Sequence, residues 1–149
     1  MTKKATVTIT ATRLPAAPWV HYEMAAKFPD KGGSQDGDKL KFDAKEGPFE
    51  LVFDLDDQTK GLKLGFLPSF AEAMWVAPGT GCPQGPGNGG GAISAGSVNA
   101  NKLVVNNANA IDETLTFALR FTGIDSPGGF PPYVYDPIII NGGGSINQR

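Results

Sequence analysis

Residues 114–122, TLTFALRFT, constrain the chain more than any other stretch. Leu115, Phe117, Leu119 and Phe121 take every second position, with Thr114, Thr116, Ala118, Arg120 and Thr122 between them. That is the period of a strand with one buried face, and such a face needs a second layer to cover it. Phe49, Leu51, Phe53 and Leu55 repeat the pattern opposite Glu50, Val52, Asp54 and Asp56, and residues 57–61 supply a turn. These two stretches are the expected core strands.

The remainder fits around them. Residues 6–12 alternate Thr with Val7, Ile9 and Ala11, a β-branched first strand with a wet threonine face. It is ended by Pro15 and Pro18. Residues 19–24 alternate again, with Val20, Tyr22 and Met24 against Trp19, His21 and Glu23. Residues 29–39 read as an exposed loop, residues 40–43 as a short strand. Ser69-Phe70-Ala71-Glu72 has the form of a capping box and predicts about two turns of helix near 70–75. Residues 78–96 hold eight glycines and three prolines and read as a long loop or lid. Residues 102–107 make a short strand and 123–132 another turn-rich loop. Residues 133–140 close the fold as a strand that Asp136-Pro137 forces to an edge or a bulge. The tail from about 141 to 149 is expected to fray.

About seven or eight short strands, one short helix near 70–75 and long Gly/Pro-rich loops predict an all-β fold, a two-sheet antiparallel β-sandwich. The 149 residues suit one domain spanning 1–149. Charged residues are 19% of the chain and the net charge is -2, so there is no basic field for nucleic acid. The start carries no signal-peptide pattern, and no window approaches about 18 consecutive apolar residues. The expectation is a cytoplasmic protein with no membrane partner, non-classical export aside. A single cysteine forbids an internal disulfide.

The chemical equipment is sparse. One histidine, His21, would have to carry any Ser-His-Asp, Cys-His or His-rich metal mechanism alone. Cys82, between Gly81 and Pro83, reads as an exposed loop thiol with no base placed beside it. Residues 85–90 satisfy GxGxxG, but proline sits inside the run and no amphipathic helix follows, which rules out dinucleotide binding. Asp54, Asp56 and Asp57 are weak calcium candidates, and Asp36 and Asp38 a similar pair; solvated side chains blunting a sheet edge explain them more simply. Trp19 and Trp75, with His21, are the candidate ligand-binding residues, because an exposed indole gives a sugar or a partner much contact area. No cofactor is expected.

The segments FAEAMWVAPGTGCP, KLVVNN, TLTFALRFTG and VYDPIIINGGG occur in that order. The series resembles a group of small bacterial proteins with a helix-plus-tryptophan segment, a Cys-Pro loop, a penultimate F-x-L-R-F strand and an Asp-Pro-Ile-Ile-x-Asn ending. The resemblance covers roughly the last 85 residues, with Phe121 and residues 136–139 as its most specific parts. It implies an immunoglobulin-like or cupredoxin-like sandwich and no particular activity; a cupredoxin copper site needs two histidines, and this chain has one. The reading that follows is a non-enzymatic protein that binds or self-associates, a homo-oligomer formed through a sheet edge or the Gly-Pro loop. The first strand, free of proline and internal charge, is the expected open edge. The alternative is a carbohydrate-binding, lectin-like module, calcium-assisted through the aspartates, with a glycan or protein partner.

Overall fold

The described residues of the computed structural model are 3–16, 19–123 and 133–142. Their strands form two mixed sheets packed face to face, the expected all-β sandwich. In the first sheet, β1 (Lys3–Arg13) and β5 (Phe49–Gln58) run parallel side by side. β2 (Val20–Lys27) joins the far side of β1, and β9 (Lys102–Asn107) followed by β8 (Ile93–Val98) extends the sheet beyond β5, all antiparallel. Alternation sorts the faces. Ala5, Val7, Ile9 and Ala11 enter the core beside Phe49, Leu51, Phe53 and Leu55, while Thr6, Thr8, Thr10 and Thr12 stand half-exposed on the other face.

The second sheet is built on β10 (Asp112–Thr122), the strand that carries the governing pattern. One of its edges is filled by β7 (Met74–Pro78) and the short β6 (Gly65–Phe66), the other by β12 (Ile138–Gly142) and β11 (Tyr133–Tyr135). β12 runs parallel to β4 (Lys39–Phe42), and β3 (Gly33–Asp36) closes a hairpin on β4. β10 is buried on both faces from Leu115 to Leu119, because Thr116 donates to Gly79 O (2.8 Å) and Ala118 lies beside Trp75. Aromatic contacts tie the layers together: Phe49 meets Phe42 at 4.8 Å, Phe53 meets Phe117 at 5.6 Å, and Tyr22 stacks on Phe121 and Tyr135 at 5.6 and 5.2 Å. Each such pair contributes about 0.5–1.5 kcal/mol beyond the area it buries.

Several expectations are corrected. The sheets are not wholly antiparallel, since β1 pairs β5 and β12 pairs β4 in parallel, and twelve strands exceed the seven or eight expected among the described residues. The helix α1 (Phe70–Ala73) is one turn, with Ser69 making no side-chain cap; Glu72 turns instead to Arg120, so Met74 and Trp75 begin a strand. The first strand is not an edge, because β2 and β5 occupy both its sides. The loop at 29–39 contains β3, and the Gly-Pro stretch gives way to β8 at Ile93. Of the edge or bulge expected at Asp136-Pro137 the edge is found, since β11 is the outermost strand of its sheet; the register to β10 runs unbroken through Pro137, which accepts a bond from Phe117 N–H (3.0 Å). Asn141 does not fray but is fully buried in β12. Residues 124–132 of the expected loop and 143–149 of the tail lie outside the described residues.

Among the described residues, a pair of asparagines makes a polar contact across the core. Asn107 at the end of β9 and Asn141 in β12 are both fully buried, and each donates its amide N–H to the other's Oδ1, at 2.8 and 2.9 Å. Asn107 Oδ1 also accepts from Asn109 N–H (3.3 Å), and Asn109 Nδ2 donates to the carbonyls of Asp43 and Gly47. Asn109 holds this position with φ 46°, a conformation asparagine tolerates better than most residues. Truncating either partner removes both reciprocal bonds and strands the other's N–H in the core, although Asn107 Oδ1, where it remains, keeps the bond from Asn109; the cost is about 1–3 kcal/mol. Asn107→Ala and Asn141→Ala are each expected to destabilise by about 2 kcal/mol or more, with the double variant losing less than the sum. Denaturant titration of the three variants checks this; additive losses would mean that the two amides do not act as a pair.

Candidate functional site

The structure distributes the sequence candidates over the sandwich rather than gathering them. His21 lies on the open face of β2, its side chain 55% exposed, with Nε2 3.8 Å from Glu23. Trp19 precedes β2 in a turn, with φ 78°; its N–H donates to Ala16 O and its carbonyl accepts from Leu14 N–H. Its ring is half-buried against the core. Trp75 sits in β7, in the other sheet, and the guanidinium of Arg120 lies 3.8 Å from its ring centroid. Arg120 Nη1 also donates to the carbonyl and the carboxylate of Glu72, both at 3.0 Å. The indole therefore presents one face to a cation of its own chain, an arrangement worth about 0.5–2 kcal/mol.

The aspartates have separate partners. Asp54 pairs with Lys102 at 3.6 Å, and Asp56 accepts from Gln58 Nε2 at 2.7 Å. Asp57 accepts from the Thr59 N–H and hydroxyl and from Leu64 N–H, so its carboxylate shapes the turn after β5. Asp36 pairs with Lys41, and Asp38 accepts from the Tyr135 hydroxyl at 2.6 Å. Burial, and then Asp38, hold that phenol above its ordinary range. Among the described residues no group of three or more His, Cys, Asp or Glu side chains is placed to hold a metal ion. No helix among them is long and apolar enough to cross a membrane.

The Gly-Pro segment packs onto the second sheet. Val76 N–H donates to Gly87 O (2.9 Å), Pro83 is buried, and Cys82 Sγ lies 3.3 Å from Asp136 Oδ2. Pairing to Val76 brings the loop so close that a Cβ on Gly87 would meet Val76 O at 2.8 Å. Sequence reasoning missed this cover, as it missed β8 and the Arg120–Trp75 stack. The alternation in 114–122 did put Arg120 on the face opposite the core, but nothing local marked Trp75 as its neighbour.

The bond and the charge of Asp136 raise the Cys82 thiol pKa, so thiolate is scarcer at a given pH than in a free cysteine. Asp136→Asn removes the charge and is expected to speed alkylation of Cys82 several-fold below the thiol pKa. The advantage should fade at high pH, where both proteins are fully ionised. Rates of iodoacetamide labelling across pH check this, and equal rates throughout would show that Asp136 does not govern the thiol.

No known family model and no curated protein matches this chain.

Proposed function

We propose that the protein is non-enzymatic and acts by self-association, two copies pairing antiparallel along β8. The observation that carries this reading is the outer edge of β8, which no strand pairs among the described residues; Ile93 on it is bonded to Asn88 and α1 lies close by, which leaves Ala95 as its unpaired position. Other edges are occupied or short. The β7 edge is bonded at Val76 to the Gly-Pro segment, Phe66 of β6 donates to Ala100 O, and β11 is three residues long. β2 and β3 face each other, bridged by the side chain of Gln35.

β8 lacks the usual defences of an edge in its side chains: Ser94, Ala95, Gly96 and Ser97 are exposed, uncharged and free of proline. Ala92 O accepts from the N–H of Ala108, just past the end of β9, whereas Ile93 N–H points away, to Asn88 O. By the alternation of an antiparallel ladder, Ala95 also turns its N–H and C=O outward. A bulge between Ala95 and Ser97 limits the pairable run, and Gly96 is pressed so tightly on β9 that a Cβ would meet Val104 O at 2.6 Å. A short run makes a small interface, so the pairing is expected to be modest, with a Kd of about 10 µM or weaker. A two-fold axis closes the contact, and uncharged side chains around it add no like-charge repulsion. The employment of Trp75, Asp54 and Asp57 within the fold, and of His21 beside Glu23 on an open face, agrees with a scaffold role.

Ala95→Pro removes the outward donor and fixes the local φ, but takes no donor from the ladder to β9. Light scattering coupled to size exclusion should show wild type moving from the 15.6 kDa monomer toward twice that mass with concentration. The variant should need at least about tenfold more protein, a loss of about 1.4 kcal/mol. A wild-type mass of 15.6 kDa at every concentration would overturn the proposal.

A further inference from the structure

β2 and β3 are the outermost strands of their respective sheets, and they meet along one side of the sandwich. Among the described residues, the side-chain hydrogen bonds between them come from Gln35. Gln35 of β3 accepts from Ala26 N–H through Oε1 at 2.7 Å and donates through Nε2 to Met24 O at 2.7 Å. The same Nε2 donates to Gly37 O at 2.8 Å, which holds the amide against its own hairpin. A carboxamide carries one acceptor and one donor group in the arrangement of a peptide bond, so Gln35 fills the edge of β2 as one residue of an added strand would. Glutamine has the length to reach across from β3; a residue without an amide would leave Met24 C=O and Ala26 N–H open at a sheet edge.

We infer that Gln35 determines how large the assembly becomes, by closing the β2 edge against a strand from a second copy. This rests on the proposed pairing through β8. With β8 alone open, association ends at a closed pair; with β2 open as well, each copy offers two edges, and head-to-tail addition does not close. The partner that fits the unguarded edge is an extended, uncharged strand of the same chain. β8 of another copy has that chemistry, because Ala95 exposes the complementary outward N–H and C=O.

Two substitutions separate the guard from its effect on stability. Gln35→Ala loses the clasp and leaves a bare edge, whereas Gln35→Lys loses the clasp but puts a charge there. Sedimentation velocity across protein concentrations should show Gln35→Ala extending to species beyond the wild-type mass, while Gln35→Lys stays at the wild-type state. Combined with Ala95→Pro, Gln35→Ala should fall back to a closed pair formed through β2. If Gln35→Ala keeps the wild-type distribution, or if the Lys variant extends equally, the inference is overturned. A wild type that stays monomeric refutes the β8 pairing but not the guard, since Gln35→Ala would then still rise from monomer to pair. If Gln35→Ala fails to fold, amide exchange in the wild type decides: Ala26 N–H should be protected although it lies on an edge strand, and rapid exchange there would refute the clasp.

Discussion

Two asparagines facing each other in the core determine how the layers of this sandwich sit. Apolar faces are non-directional and would accept many relative positions of two sheets, but the Asn107–Asn141 pair accepts only one, because sliding either strand by a residue buries two unpaired amides. The aromatic contacts at Phe42–Phe49, Phe53–Phe117 and Tyr22–Tyr135 are made in that same placement. Asn109 extends the constraint to the turn at Asp43 and Gly47, so the polar cluster anchors the entry to β5 as well as the ends of β9 and β12.

With the layers fixed, the remaining structural problem is the strand edges, and each is met by different chemistry. The Gly-Pro segment lays backbone along β7 at Val76, where glycine alone allows so close an approach. Gln35 meets β2 with a side-chain amide. β10 needs no such device, having neighbours on both sides. β8 is left with a bulge and small polar side chains, a weaker defence than proline or charge. The proposed function follows from this imbalance among edges.

The parts of the fold legible in the sequence are those that one strand encodes by itself. Period-two alternation placed β1, β5 and β10, and it identified Val20, Tyr22 and Met24 as a set, while residues 102–107 read as a short strand and form β9. The parallel neighbours β1 and β5 were not legible, since parallel pairing leaves no mark within either strand. β3 and β8 were hidden by composition: GSQD and ISAGSV carry too few apolar residues to show a period. The start signal at Ser69 and Glu72 was real in form, but the stack of Arg120 on Trp75 drew Glu72 away and the chain continued as a strand. Among the site candidates, Trp19, His21 and Trp75 could be named as residue types with binding capacity, but not located relative to one another. Asn107 looked like the end of a short strand, Asn141 like the start of a tail and Gln35 like a loop residue, and their roles depend on partners far away in sequence.

The claim that β8 is the working edge is tested most directly by hydrogen exchange at one backbone amide, that of Ala95. Pairing between copies requires this N–H to exchange quickly in dilute protein and slowly in concentrated protein, with the amides of β10 protected at both. An Ala95 amide that exchanges at the same rate at every concentration, while the mass of the particle rises, would contradict it and place the contact elsewhere on the molecule.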